Sequence, residues 1–305
     1  IGFFLHIPFP ARELFIRMPW RRQVVAGILG ADLVGFQTDD DAGNFRRAAV
    51  QLTEATADGT NLHYEGRSIG ARGFPIGIDH RRITDRAEHP TAIARAADLR
   101  EALGNPKHLL LGVDRLDYTK GIEVRLRAYL ELLREQRLDP EETVMMQIAE
   151  PSRSNVHHYA EIRAEIERLV GDINGNFATV GRPAVHYLHQ GQGADELVAM
   201  YLAADVMLVT PFRDGMNLVA KEYVACREDD TGVLVLSEFA GAAQVLKEAI
   251  LVNPHDIDGL KRAILLAVNL NKDEQAERMR PLRQSVRKND AQLWARTFLE
   301  NLTAQ

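Results

Sequence analysis

His108-Leu-Leu-Leu-Gly-Val-Asp-Arg-Leu-Asp-Tyr-Thr-Lys-Gly121 begins as a short apolar run and continues as a charged loop that ends in a glycine. Apolar residues then recur at the spacing of one helix face, at Leu126, Leu130 and Leu133. A buried strand at 108–113, a loop and a helix are therefore predicted. This order is the first part of a strand-helix-strand unit, in which the strands lie parallel.

The same alternation continues along the chain to about residue 252. Further strands are predicted at 143–149, 185–188, 206–210, 233–236 and 250–252. Helices are predicted between them at 162–170, 195–204, 217–226 and, as a short helix, 240–246. Six short strands alternating with helices, joined by right-handed crossovers, indicate a Rossmann-like parallel sheet.

The first 80 residues are less regular. Strands are predicted at 32–36 and 72–76 and helices at 21–29 and 40–52, as in the second half of another α/β domain. The opening Ile1-Gly2-Phe3-Phe4-Leu5 has the pattern of a buried strand, whereas chain termini are usually exposed. We therefore expect further sequence before Ile1 and an N-terminal domain that is incomplete in this chain.

The predicted fold class is α/β with two Rossmann-like domains. The charged segment 79–90 has linker character, and the tail is predicted to be helical with a break near Lys288-Asn289-Asp290. The expected domains are 1–88, 89–272 and 273–305, the last consisting of helices that pack back toward the first.

Composition excludes several classes of protein. Of 305 residues, 46% are hydrophobic and 26% are charged, values that are typical of a soluble globular protein. The net charge of −6 lacks the basic excess of a general nucleic-acid binder. No apolar run approaches the roughly 18 residues of a membrane span. The single cysteine, Cys226, is predicted to be a packed core thiol and favours a reducing, cytoplasmic location.

Ligands of an open parallel sheet bind at the carboxyl ends of its strands. Arg115 and Lys120 lie in the loop that follows the strand at 108–113, and two cations there suit a diphosphate. The alternative is a charged surface turn in which Asp114 and Asp117 are their ion-pair partners. Spacing alone leaves both interpretations open.

A second loop, Thr210-Pro-Phe-Arg-Asp-Gly-Met-Asn-Leu-Val-Ala-Lys-Glu222, follows the strand at 206–210. Gly215 permits a tight turn, and a helix that starts at about Asn217 offers its first amides to a phosphate. Glu222 lies about 6 Å further along that helix, within reach of a ribose diol. Asp214 lies in the turn, where it is placed to accept hydrogen bonds from a sugar.

Each of these candidates has a structural alternative. Glu222 on a solvated helix face would pair with Lys221 or Arg227, and Asp214 would cap the helix. In a third loop, Ala149-Glu-Pro-Ser-Arg153, the arginine suits a second anionic group, and its alternative is a solvated loop side chain.

Other patterns are set aside. Gly191-Gln-Gly193 has Glu196 where a dinucleotide fingerprint needs its third glycine. His186 and His189 are predicted on opposite faces of a strand, where they do not easily share a metal ion. The sequence shows no Ser-His-Asp order, no Gly-x-Ser-x-Gly elbow and no carboxylate cluster that suggests a divalent metal.

Five motifs resemble, in the same order, those of trehalose-phosphate synthases, a family of retaining glycosyltransferases with two facing Rossmann domains (the GT-B type). They are Gly2-Phe-Phe-Leu-His-Ile-Pro-Phe-Pro10, Gly112-Val-Asp-Arg-Leu-Asp-Tyr-Thr-Lys-Gly121, Pro151-Ser-Arg153, Arg213-Asp-Gly-Met-Asn-Leu-Val-Ala-Lys-Glu-Tyr-Val-Ala-Cys226 and Leu236-Ser-Glu-Phe-Ala-Gly-Ala-Ala243. The resemblance runs from Ile1 almost to Gln305. It implies transfer of glucose from UDP-glucose to glucose 6-phosphate, with 1–88 in the acceptor domain and 89–272 in the donor domain.

The resemblance also implies roles for single residues. The donor site would consist of Arg115, Lys120, Gln192, Gly215, Met216, Asn217, Leu218, Val219, Ala220, Lys221 and Glu222, and the catalytic set of Asp214, Arg115, Lys120 and His6. Arg115 and Lys120 would hold the diphosphate, Glu222 would bind the ribose, and the backbone at Gln192 would meet the uracil, in a loop that departs from commoner family sequences. Asp214 and His6 would hydrogen-bond the transferred glucose, and Arg153 would hold the acceptor phosphate.

The implied chemistry needs no cofactor and no metal, because cations and a helix N-terminus neutralise the departing diphosphate. Two alternatives stay open: a sister glycosyltransferase with another phosphorylated acceptor, such as glycerol 3-phosphate, and a catalytically silent nucleotide-sugar-binding homologue. The choice of UDP over ADP or GDP is also open. We expect a homo-oligomer without nucleic-acid or membrane partners.

Overall fold

The computed structural model describes residues 1–152 and 157–304. The chain forms two compact units. Unit 1 comprises Ile1–Ile78, Asp214–Met216 and Lys288–Gln305, and unit 2 comprises Asp79–Arg213 and Asn217–Arg287. The sequence predicted changes of domain after residues 88 and 272, whereas the units change after residues 78 and 287, and 214–216 belongs to unit 1.

A five-stranded sheet forms the centre of unit 1. The elements up to residue 73 are β1 (Gly2–Leu5), α1 (Arg12–Phe15), α2 (Arg21–Ile28), β2 (Leu33–Phe36), α3 (Asp39–Leu52), β3 (Thr56–Asp58), β4 (Asn61–Tyr64) and β5 (Arg67–Gly73). In the order β1-β2-β5-β4-β3, the strands β1, β2 and β5 are parallel, and the β3–β4 and β4–β5 pairs are antiparallel. Phe36 and Phe45 lie in the core with Phe9, and the rings of these three residues are 5.3 to 6.0 Å apart.

The bounds predicted for the strand at 72–76 are wrong, because β5 runs from Arg67 to Gly73. The antiparallel pair of β3 and β4 was not predicted. Glu65 and Gly66 join β4 to β5 with φ angles of +51° and +75°, the backbone of a tight primed turn. The sequence of β5 is rich in arginine and glycine and has no strand pattern, so its extended conformation depends on pairing with β2 and β4. The other predicted elements of this region are confirmed within one or two residues.

A parallel sheet of six strands forms the centre of unit 2, as predicted. Its elements are α4 (His80–Ala87), α5 (Pro90–Ala102), β6 (His108–Arg115), α6 (Ile122–Arg134), β7 (Thr143–Glu150), α7 (His157–Phe177), β8 (Val185–Leu188), α8 (Ala194–Ala203), β9 (Val206–Val209), α9 (Leu218–Cys226), β10 (Val233–Ser237), β11 (Ile250–Val252), α10 (Ile257–Asn269) and α11 (Lys272–Lys288). The strand order β11-β10-β9-β6-β7-β8 is that of a Rossmann sheet. The helix predicted at 240–246 is only a short 3-10 turn, Gly241–Gln244.

The linker predicted at 79–90 is wrong, because this segment forms α4 and the start of α5. Asp79 caps α4 by accepting a hydrogen bond from the backbone of Arg82 at 3.2 Å. Thr84 donates to the carbonyl of Ala225 at 3.3 Å, which ties α4 to the end of α9. The charges that suggested a linker belong to the exposed side of a packed helix.

A last helix, α12 (Ala291–Thr303), returns the chain to unit 1 after the break that was predicted near 288–290. Trp294 donates from Nε1 to the carbonyl of Phe74 at 3.2 Å, and the ring of Phe298 meets the ring of Phe74 edge to face. These contacts hold α12 against the sheet of unit 1. In 1–152 and 157–304, no helix is long and apolar enough to cross a membrane.

Candidate active site

The sheet of unit 2 reverses its order of winding between β6 and β9. These two strands pair directly, with Leu110 opposite Val206, while the next strand after each lies on the other side of it. A crevice at the carboxyl ends of the strands forms at such a point and is where open α/β sheets bind ligands. Arg115 is the last residue of β6, and its side chain is exposed there. It forms no ion pair with any residue that the structure describes.

The loop after β6 is held by its own hydrogen bonds. Asp117 caps a 3-10 turn, Tyr118–Lys120, by accepting from the backbone of Thr119 at 2.9 Å, and it also accepts from the hydroxyl of Tyr159 at 3.1 Å. Burial alone would raise the pKa of Asp117, but these hydrogen bonds hold it below its ordinary value. Asp117 therefore shapes the loop that carries Lys120.

A buried arginine that the sequence analysis missed joins this loop to the neighbouring strands. Arg125, in α6, is fully buried and pairs with Asp114 at 2.8 Å. It donates to the side chains of Gln147 and Thr210, each at 3.1 Å, and to the carbonyl of Lys120 at 3.2 Å. Because Asp114 pairs with this buried arginine, the alternative in which Asp114 is an ion-pair partner in a charged surface turn is wrong.

Two glycines make this arrangement possible. Gly112 lies in β6, and a Cβ there would be 2.1 Å from Nη1 of Arg125. Gly121 precedes α6 with φ of +63°, and a Cβ there would be 2.2 Å from the carbonyl oxygen of Thr210. The buried side chain of Arg125 explains the glycine at 112, and the close approach of the two loops explains the glycine at 121. These two glycines are the sequence signal that could have pointed to a tightly packed partner such as Arg125.

The start of α9 offers fewer free amides than the sequence predicted. Asn217 caps the helix with φ of +75°, and its side chain accepts from the backbone of Ala220 at 3.0 Å. The alternative that placed Asp214 at the cap is therefore wrong. The N–H groups of Leu218 and Val219 donate to no acceptor among the residues that the structure describes. These two amides lie at the positive end of the helix dipole, where an anion is stabilised.

The carboxylate further along α9 has a specific partner. Glu222 is half-buried and accepts a hydrogen bond from the hydroxyl of Tyr201 at 3.0 Å. Burial raises the pKa of Glu222, and the hydrogen bond acts in the opposite direction. The predicted alternative of pairing with Lys221 or Arg227 is not seen, since Tyr201 is the described partner of the Glu222 carboxylate. Arg227 instead donates to the carbonyl of Leu202 at 2.7 Å, and Lys221 is buried. Burial lowers the pKa of Lys221 to about 8.

The two residues that were assigned to the sugar lie in unit 1. Gly215 is buried, and a Cβ there would be 2.0 Å from the carbonyl oxygen of His6 and 3.3 Å from Gln37. The backbone of Asp214, Gly215 and Met216 therefore runs against that of His6. The side chain of His6 is exposed and that of Asp214 is half-buried. Only a glycine fits at the centre of this contact.

The remaining candidates follow β7 and β8. Gln192 lies between β8 and α8 and is half-buried. Next to it, a Cβ on Gly191 would be 3.2 Å from the carboxylate of Glu150, at the end of β7. Arg153, predicted for the acceptor phosphate, lies outside the described residues. Within the described part of the chain, no group of three His, Cys, Asp or Glu side chains is arranged to hold a metal ion.

The family model of glycosyltransferase family 20 matches residues 1–304. The chain belongs to glycosyltransferase family 20. The family that the five motifs predicted is thereby confirmed. A trehalose-6-phosphate synthase from Mycolicibacterium gilvum (strain PYR-GCK) is 52% identical over 314 residues, which cover 100% of this chain and 62% of that protein. The chain therefore spans less than two thirds of the length of this relative.

Solved structures of the family confirm the α/β fold with parallel sheets. An α,α-trehalose-phosphate synthase from Burkholderia xenovorans in complex with glucose-6-phosphate superposes with a TM-score of 0.95 at 38% identity, over 99% of this chain and 68% of that one. A structure from E. coli bound with UDP-2-fluoro glucose has a TM-score of 0.94 at 38% identity, over 99% of this chain and 67% of that one. The parts of the fold that this chain contains therefore match the corresponding parts of the family's GT-B structures.

Proposed function

We propose that this family 20 chain takes part in glucose transfer from UDP-glucose to glucose 6-phosphate, which forms trehalose 6-phosphate and UDP. The observation that carries the proposal is the group of polar side chains and backbone amides at the switch point of unit 2. There Arg115, the loop that carries Lys120, the first two amides of α9 and the carboxylate of Glu222 follow two adjacent strands, and neither the side chain of Arg115 nor these amides has a partner among the residues that the structure describes. The trehalose-6-phosphate synthases among its relatives support the choice of substrates.

In the proposed reaction the bond between the anomeric carbon and the diphosphate oxygen breaks, and its electron pair leaves with UDP. Arg115, Lys120 and the amides of Leu218 and Val219 stabilise the charge that develops on the diphosphate. These groups take the role that a divalent cation has in other transferases, so we propose that no metal is required.

The acceptor hydroxyl attacks from the face that UDP leaves, its oxygen bonds to the anomeric carbon, and its proton passes to the departing phosphate. Asp214 and His6 hydrogen-bond the glucose as it acquires positive charge. Glu222 binds the ribose, and the loop at Gln192 meets the uracil. Arg153 binds the phosphate of the acceptor.

Calorimetry tests the donor site directly. We expect UDP to bind this chain with equal affinity in EDTA and in magnesium, because the stabilising charges belong to the protein. A requirement for magnesium would contradict the role given to Arg115 and Lys120. Release of UDP from UDP-glucose, measured with glucose 6-phosphate and with glycerol 3-phosphate in parallel, tests the acceptor. Release with glycerol 3-phosphate alone would favour the sister activity, and UDP binding without any release would favour a silent homologue.

Location and assembly belong to the same proposal. A cytoplasmic location accords with a single cysteine that is buried and unpaired. The homo-oligomer stays a prediction, and sedimentation of the purified chain tests it by measuring the oligomeric state.

A further inference from the structure

We propose that Tyr201 is a positioning residue for Glu222, which it holds in the orientation that receives the two hydroxyl groups of the donor ribose. This inference rests on the proposed function, since it deepens the role of the same donor site. Tyr201 itself touches no substrate. It acts from the neighbouring helix, α8, on a carboxylate of α9.

The geometry of the pair supports this role. The hydroxyl of Tyr201 donates to Oε2 of Glu222 at 3.0 Å, and the tyrosine side chain is almost fully buried, with 1% exposed. The other carboxylate oxygen, Oε1, accepts no hydrogen bond from the residues that the structure describes. One oxygen is thus anchored while the other keeps its full capacity to accept. A side chain with three rotatable bonds loses most of its freedom when one oxygen is held, and less entropy is then lost when a ligand binds.

A neighbouring tyrosine shows what a purely structural hydroxyl does in the same place. Tyr223 follows Glu222 in α9 and is fully buried, and its hydroxyl donates to the carbonyls of Ala204 and Asp205 at 3.4 and 3.3 Å. Its ring meets that of Tyr201 edge to face, with centroids 6.5 Å apart. Both rings are therefore fixed by packing, but only Tyr201 directs its hydroxyl to a carboxylate at the candidate site.

The protonation states of Tyr201 and Glu222 fix which of the two donates the hydrogen bond. Burial raises the pKa of Tyr201 well above its ordinary value, so the phenol stays protonated and donates. Its hydrogen bond favours the ionised form of Glu222 against the effect of burial. An ionised carboxylate is the stronger acceptor for a diol.

The test compares UDP with 2′,3′-dideoxyuridine diphosphate, which lacks both ribose hydroxyls. Calorimetry of the wild-type chain, Tyr201→Phe and the matched control Tyr223→Phe measures the ratio of the two affinities. We expect the wild type to prefer UDP by tenfold or more, on the order expected for hydrogen bonds to a charged group. Tyr201→Phe should bind UDP about three- to tenfold more weakly and the dideoxy compound within about twofold of wild type. Tyr223→Phe should keep the wild-type ratio.

A cycle with Glu222→Gln completes the test. On that background Tyr201→Phe should cause no further change in the ratio, because the group that it orients is already altered. Equal weakening of both ligands in Tyr201→Phe would show a merely structural role and overturn the inference. A wild type that binds UDP with no preference over the dideoxy compound would overturn it as well, while leaving the nucleotide site intact. A wild type that binds no UDP would instead overturn the proposed function.

Discussion

The guanidinium of Arg125 donates to the hydroxyl of Thr210 across 3.1 Å and so joins the helix after β6 to the end of β9. The same side chain pairs with Asp114 and reaches the carbonyl of Lys120. One buried cation therefore sets the distance between the two loops that form the candidate donor site. Its burial is tolerated because its donors meet acceptors on four different segments.

Arg125→Lys should reduce both stability and nucleotide affinity. Lysine keeps the charge opposite Asp114 but lacks the planar fork, so it leaves buried acceptors unpaired. We expect the free energy of unfolding in urea to fall by about 1–3 kcal/mol, with weaker binding of UDP. Arg127→Lys, two residues further along α6 in an exposed ion pair with Glu165, is the control and should change both quantities little. An unchanged UDP affinity in Arg125→Lys would show that this arginine does not influence the donor site.

Gly121→Ala should destabilise the chain by roughly 1–3 kcal/mol. The position has φ of +63°, and the added Cβ would be 2.2 Å from the carbonyl oxygen of Thr210. Gly171→Ala, in the middle of α7 with no atom within 4 Å of the new Cβ, should instead raise stability by about 0.5–1 kcal/mol. We expect the two substitutions to change the free energy of unfolding in urea in opposite directions. Stabilisation by both would contradict the close approach of the two loops.

Arg115→Ala and Lys120→Ala should each remove about 2–4 kcal/mol of transition-state stabilisation if these side chains meet the leaving diphosphate. The loss is measured as kcat/KM for UDP-glucose. Lys107→Ala, which breaks an exposed pair with Glu142 next to the amino end of β6, is the control and should leave kcat/KM unchanged. Wild-type kcat/KM in either of the first two variants would exclude the proposed role of that residue.

Glu222→Gln and Asp214→Asn should separate the two carboxylates. The first should weaken UDP and UDP-glucose by the same factor of about tenfold, because both ligands carry the ribose. The second should weaken only UDP-glucose or its turnover, because UDP carries no glucose. Calorimetry measures the affinity of each variant for both ligands. The reverse pattern would assign the ribose to Asp214 and the glucose to Glu222.

Cys226 should resist alkylation in the folded chain. Only 2% of the residue is exposed, and burial raises the pKa of its thiol to about 12, so the reactive thiolate is absent at pH 8. Because the unfolded thiol ionises at lower pH, the same shift should cost stability as the pH rises from 9 toward 12. Iodoacetamide labelling followed by mass spectrometry checks the first point, with urea-unfolded chain as the control. Rapid labelling of the native chain at pH 8 would contradict the buried position.

The order of strands and helices in unit 2 was predictable from the sequence. Six apolar runs of strand length, separated by helices, specify parallel pairing, since parallel strands need long crossovers. The loops after β6 and β9 were also predictable as candidate sites, because glycines, cations and a helix start follow each strand directly. Periodicity and local turn chemistry carry this information, and both depend on neighbours within a few residues along the chain.

Tertiary structure alone decided the rest. Residues 79–90 are charged like a linker but pack as α4, and β5 is extended only because two strands pair with it. Arg125 and Tyr201 look like ordinary helix residues in the sequence, yet their partners Thr210 and Glu222 lie 85 and 21 residues away along the chain. A side chain's role in such a pair depends on which segments the fold brings into contact. Residue spacing does not record this, because the contact is made only when distant elements pack together and exclude water.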